Sequence, residues 1–194
     1  AMMPYFGLPK LREELQSFLE KNQLKTVLAD QRILEYGHVV VMGILNITPD
    51  SFYAGSRVHS LKDVLNRAGQ MLCDGAEILD IGGESTRPGS ESIDAQEEIA
   101  RIVPVVQALR KEYPESILSI DTYHADTAEA ALTMGADIIN DISAMEYDEK
   151  MIEVVVKNNA PVILMHMRGT PKNMQQNTQY GNVVEEVAKY LHER

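Results

Sequence analysis

The sequence predicts an α/β protein built around a parallel sheet. Short apolar runs alternate with helix-patterned segments along most of the chain, as in successive βα units. The runs are apolar on both alternating faces, as strands covered on two sides must be. Each run also leads directly into a group of uncommon polar residues, at the strand ends where parallel α/β sheets build their sites.

The first elements are a helix over Lys10 to Glu20 and a hairpin pairing Thr26 to Leu28 with Arg32 to Tyr36 around Asp30-Gln31. They are expected to plug the sheet at the end opposite the strand tips. Residues 1–38 are therefore read as an extension, and 39–194 as the sheet-containing domain.

Five strands follow: Val39 to Leu45, Ile78 to Ile81, Ile117 to Ile120, Ile138 to Ile142 and Val162 to Met165. After the first, Leu61, Val64, Leu65, Ala68, Met71 and Leu72 recur at helical spacing, with Ser60 placed to cap and Gly75 to terminate. Asp94-Ala95-Gln96-Glu97 has the form of a capping box and opens a helix buried through Ile99, Ile102, Val103, Val106 and Leu109, in which Pro104 is expected to kink the axis. Thr127 to Met134 closed by Gly135, Asp148 to Asn158, and Asn182 to Arg194 are the remaining helices. Strand starts at 39, 78, 117, 138 and 162 suit an open five-stranded sheet or five units of a (β/α)8 barrel, which takes about 250 residues in all. An open doubly wound sheet would ordinarily carry a GxGxxG turn after strand one, and none is present.

Composition narrows the function. With 18 basic and 29 acidic residues the net charge is -11, and no basic stripe runs along any segment, so nucleic acid and anionic membrane are not expected partners. The one cysteine, Cys73, excludes a disulfide framework and a CxxC zinc site, which suits a reducing cytoplasm; within an amphipathic helix it reads as a buried thiol. No apolar stretch approaches the roughly 20 residues that span a bilayer, and the N-terminus lacks a secretion-signal pattern. His59, His124 and His166 lack paired metal-ligand spacing and read as hydrogen-bonding or capping residues. One of Met165 and Met167 is expected to pack inward.

The polar groups at the strand ends carry the chemistry. Asp121 ends the third strand, where a helix cap or an ion pair is the bland alternative to a ligand contact. Asn140 lies inside the fourth apolar run, where an amide is expensive unless both its ends are paired. A carboxylate and a carboxamide meeting at adjacent strand ends can read a flat heterocycle with an amidine-like N–H edge, as pterins and purines have. Thr86-Arg87-Pro88, bounded by glycines, offers a hydroxyl and a guanidinium to an anionic group, with Arg57, Arg168 and Lys172 in neighbouring loops. Asn46 offers a hard oxygen of the kind Mg²⁺ takes when a diphosphate supplies other ligands, or else stabilises its loop.

The segments Met42 to Phe52 (MGILNITPDSF), Asp80 to Gly89 (DIGGESTRPG), Ser119 to Thr122 (SIDT) and Ile139 to Ile142 (INDI) together resemble, in order and spacing, the dihydropteroate synthase family from about Val39 onward. The resemblance implies a TIM barrel, here represented by five of eight units. It also implies a transferase of folate biosynthesis, the sulfonamide target, that condenses 6-hydroxymethyl-7,8-dihydropterin diphosphate with p-aminobenzoate with the help of Mg²⁺. By motif, Asn46 resembles the Mg²⁺-diphosphate ligand, Thr86 a substrate-binding hydroxyl, Arg87 part of the loop around the p-aminobenzoate site, and Asp121 and Asn140 the pterin-recognising pair, with Asp121 and Asn46 the catalytic ones. The first loop departs from the family by continuing Tyr53-Ala54-Gly55 where a second acid is often found. A homodimer of the full-length protein is compatible with the resemblance, the sequence leaving the oligomeric state open, and five units alone are expected to turn over poorly. A pterin-dependent methyltransferase and a non-catalytic binding module are the competing readings.

Overall fold

The computed structural model describes residues 13–15, 17, 24–47, 57–84 (the backbone alone for 57–60), 92–170, 173, 174, 176 and 178–194. Residues 13–15 and 17 are helical, within the expected first helix. A two-stranded antiparallel hairpin comes next, β1 (Lys25–Val27) with β2 (Ile33–Glu35). Five parallel strands then alternate with helices: β3 (Met42–Asn46), α1 (Arg57–Cys73), β4 (Ile78–Gly82), α2 (Ala95–Glu112), β5 (Ile117–Asp121), α3 (Ala125–Thr133), β6 (Ile138–Asp141), α4 (Met151–Asn158), β7 (Val162–Leu164) and α5 (Val183–His192). The strands pair in chain order, β3-β4-β5-β6-β7, so among the described residues β3 and β7 are the sheet's edges. Sequential order without reversal is that of a barrel wall, not of a doubly wound sheet.

Register fixes the two faces. Leu45, Leu79, Ile81, Leu118, Ile120 and Ile139 point to the helices and form the main core with Ala68, Ile102, Val106, Leu109, Ala128 and Met151. Each such fully buried Leu or Ile contributes about 1.5–3 kcal/mol. On the opposite face, Ile44 aligns with Asp80, Ser119 and Ile138, and one layer higher Asn46 aligns with Gly82, Asp121 and Asn140. At the base, Leu28 and Leu34 of the hairpin pack on Ile78 and Ile138, closing the end away from the strand tips as expected. A buried ion cluster anchors that plug: Asp137 accepts from Arg32, from Arg110 at 2.6 Å and from the Leu118 N–H at 2.8 Å.

Several boundaries differ from the sequence reading. The first long strand begins at Met42, because Val39 and Val41 lie exposed beyond the start of β4, and it runs on to include Asn46. Helix α1 starts at Arg57, so Ser60 lies in its first turn and does not cap it; no Gly or Pro interrupts 57–60. Cys73 is exposed, not buried, because it falls one residue past Leu72 and so about 100° around the helix from that stripe. Asp148 forms a turn before α4, its carboxylate accepting from the Lys150 and Ala125 N–H groups. Asp94 caps α2 through the Glu97 N–H at 2.8 Å, and the helix continues through Pro104 to Glu112. Gly75 and Gly135 end α1 and α3 at φ of +102° and +100°, where a side chain would be strained. Met167 is the inward methionine.

Candidate active site

Asn46, Gly82, Asp121 and Asn140 stand side by side at the carboxyl ends of β3, β4, β5 and β6, on the face away from the helices. Gly82 keeps the floor between them low. A methyl group there would lie 3.5 Å from Asn46 Oδ1 and 3.5 Å from Asp121 Oδ2, so these two oxygens flank the same hollow. Three of the sequence-predicted residues are thus gathered at one place. Thr86 and Arg87 lie outside the described residues, as do Tyr53, Ala54 and Lys172. Arg168 is turned to other work, donating to the Gln179 carbonyl, pairing with Glu186 and covering the Tyr180 ring at 3.8 Å.

Asn140 is held by a residue the sequence reading passed over. Its Nδ2 donates to Asp80 Oδ2 at 3.2 Å, while Ser119 Oγ donates to Asp80 Oδ1 at 2.6 Å. Asp80 is 4% exposed, and burial raises its pKa above the ordinary carboxylate value against the pull of those two donors. The signal was available: Asp80 interrupts an apolar run just as Asn140 does.

Asp121 is the poised group. Its Oδ1 is buried and, among the described residues, has no hydrogen-bond partner. Its pKa is pushed up to about 7, first by burial and then by the charges of Asp80, Glu98, Asp141 and Glu84. A buried acceptor surrounded by negative charge favours a ligand that brings N–H donors or positive charge.

Behind Asp121, three consecutive residues grip two carboxylates. Thr122 Oγ1 donates to Glu98 at 2.6 Å, His124 Nδ1 lies 3.0 Å from the same oxygen, and the Tyr123 hydroxyl donates to Glu84 at 2.9 Å. Burial and Glu84 together push the Tyr123 phenol well above its usual range. Ligand atoms of Glu84, Glu98 and His124 lie within 4.8 Å of one another. His166, away from this cluster, packs its ring on Tyr180 and Tyr190. No helix among the described residues is long and apolar enough to cross a membrane.

Comparison with known proteins bears on the family and the fold. Residues 42–194 match the family model described as pterin binding enzyme. A dihydropteroate synthase from Synechocystis is 45% identical over 162 residues, 83% of this chain and 56% of the relative. Among solved structures, a sulfonamide complex of Yersinia pestis dihydropteroate synthase aligns with a TM-score of 0.78 at 39% identity, covering 88% of this chain and 61% of that one. A Burkholderia cenocepacia dihydropteroate synthase complexed with 7,8-dihydropteroate aligns with a TM-score of 0.73 at 40% identity, covering 87% and 56%. The chain therefore spans little more than half the length of these relatives, whose TIM-barrel wall its five-stranded sheet follows. With the family match running through every strand of that sheet, the chain belongs to the pterin binding enzyme family.

Proposed function

We propose that these residues form the pterin and diphosphate half of a dihydropteroate synthase site, working within a barrel closed by further βα units. The observation that carries this reading is Asp121, one strand from Asn140, with its Oδ1 buried and without a hydrogen-bond partner among the described residues and its Oδ2 at the hollow that Asn46 Oδ1 also flanks. Asp121 accepts from the N–H edge of the pterin, and Asn140, with its Nδ2 engaged by Asp80, presents its carbonyl oxygen as a second acceptor. The two solved structures compared above, each a ligand complex, are named as dihydropteroate synthases, which supports the same assignment.

The reaction breaks the bond from the hydroxymethyl carbon to the diphosphate oxygen, which leaves with the bonding electrons. The ring delocalises the positive charge that develops, and the Asp121 carboxylate stabilises it electrostatically in a site of low polarity. The amine of p-aminobenzoate then forms the new C–N bond with its lone pair and gives up one proton to water. Asn46 Oδ1 is a neutral hard oxygen of the sort Mg²⁺ accepts, so this residue fits the ion expected with the diphosphate. When bound, Mg²⁺ neutralises charge on the leaving group. Through their motif, Thr86 is assigned to substrate binding and Arg87 to the surroundings of p-aminobenzoate.

Diphosphate release by the full-length gene product tests the reading. Release is expected only when dihydropterin diphosphate and p-aminobenzoate are both supplied, in equal amount to the dihydropteroate formed. Methyl transfer from a methylated folate, without a requirement for p-aminobenzoate, would contradict it.

A further inference from the structure

Glu98 is a buried carboxylate that the proposed chemistry does not use. It is 1% exposed and, among the described residues, no Lys or Arg pairs with it: neighbouring Arg101 turns instead to Glu97 and to the Gly83 carbonyl. Its place in the first turn of α2 gives a helix dipole as partial compensation. Burying a carboxylate without a Lys or Arg partner is costly, so its bonds need a reason. They all go to one place. Glu98 Oε2 accepts from Thr122 Oγ1 and approaches His124 Nδ1, while Thr122 Oγ1 accepts in turn from the His124 N–H at 3.1 Å. Thr122, itself 2% exposed, is bonded covalently to Asp121, and its N–H donates to the backbone carbonyl of Asn140 at 3.1 Å. Beneath, a methyl group at Gly83 would come within 2.9 Å of Glu98 Cγ, so the side chain is wedged from the β4 side as well.

We propose that Glu98 is a positioning residue that sets the distance between Asp121 and Asn140 by holding Thr122, which is joined to both of them. This rests on the pterin-site reading and deepens it. Neither Glu98 nor Thr122 touches substrate. Their effect is to fix two recognition groups on adjacent strands, where a displacement of a fraction of an ångström weakens a two-point hydrogen-bonded contact.

The test uses the full-length protein, with calorimetric affinity for 6-hydroxymethyl-7,8-dihydropterin diphosphate measured beside the KM for p-aminobenzoate. Glu98→Ala and Thr122→Val are each expected to weaken pterin binding about tenfold, with the p-aminobenzoate KM changed less than about twofold. Glu98→Gln and Thr122→Ser keep the acceptor and the hydroxyl and are expected to restore most of the affinity. The double variant Glu98→Ala/Thr122→Val is expected to be no weaker than either single one, since both cut the same link. If Glu98→Ala does not fold, the Thr122→Val and Thr122→Ser pair decides. Folded variants that lose thermal stability yet bind the pterin as tightly as the parent would overturn the positioning role. A parent protein that binds no pterin would instead refute the underlying site reading, and the positioning role with it.

Discussion

Replacing Asp121 by Asn is expected to lower kcat/KM at pH 8 by about 10²- to 10³-fold while making the protein more stable at that pH. The activity loss follows from removing the negative charge that the proposed site sets against the ring where positive charge develops. The gain in stability follows from the same placement. Burial, with Asp80, Glu98, Asp141 and Glu84 nearby, lifts the folded-state pKa of Asp121 to about 7 from the ordinary 3.8. Between those values the folded protein keeps a proton that the unfolded chain has released. The contribution of this group to stability is therefore greatest below about pH 4, declines toward pH 7 and stays at the lower level above it. An amide carries no such penalty. The Asp121→Asn protein should accordingly have a larger unfolding free energy than the parent at pH 8, by an amount on the order of 2 kcal/mol, and no larger at pH 4. In the parent, kcat/KM should rise with pH through about 7 as Asp121 ionises in the free protein, and this step should vanish in the variant. Parent-like turnover by the variant would remove Asp121 from the chemistry.

Asp80→Ala is expected to be nearly as damaging, though Asp80 lies one layer below the rim. Its carboxylate is the partner of both the Ser119 hydroxyl, 0% exposed, and the Asn140 amide. Removal leaves two polar groups without their partner, each costing about 1–3 kcal/mol, and frees Asn140 to rotate away from the pocket. Pterin affinity measured by calorimetry should fall about hundredfold, and the thermal midpoint should fall with it. Asp80→Asn separates the two roles. It keeps the shape but withdraws one of the charges that raise Asp121, so the rise in kcat/KM should move to lower pH. Unchanged pterin affinity in Asp80→Ala would show that Asn140 needs no such support.

Much of this site was legible because parallel strands make polar residues conspicuous. Asn46, Asp121 and Asn140 each stand at or near the end of an apolar run, and the structure aligns all three in one register layer. Asp80 carried the same signal but sat in mid-strand, inside a motif whose later residues are the more conspicuous. The Glu98–Thr122 link was not legible, since it joins the first turn of a helix to a strand tip 24 residues away and no local periodicity encodes that meeting. Five strands at those spacings were equally compatible with two architectures, and the sequential order of pairing, a long-range property, distinguished them. The misplaced burial of Cys73 has a simpler cause: a position one residue beyond an apolar stripe can fall on either side of its edge.

The arrangement is tested most directly by a crystal structure of the full-length protein with 6-hydroxymethyl-7,8-dihydropterin diphosphate. The expected result has the N–H edge of the ring on Asp121 Oδ1, the Asn140 side chain at the same edge, and the diphosphate on the Asn46 side of Gly82. A ring seated anywhere else, such as the cavity of about 740 Å³ between Leu34, Tyr113 and Ile117 at the base, with Asp121 Oδ1 still unpaired, would contradict it.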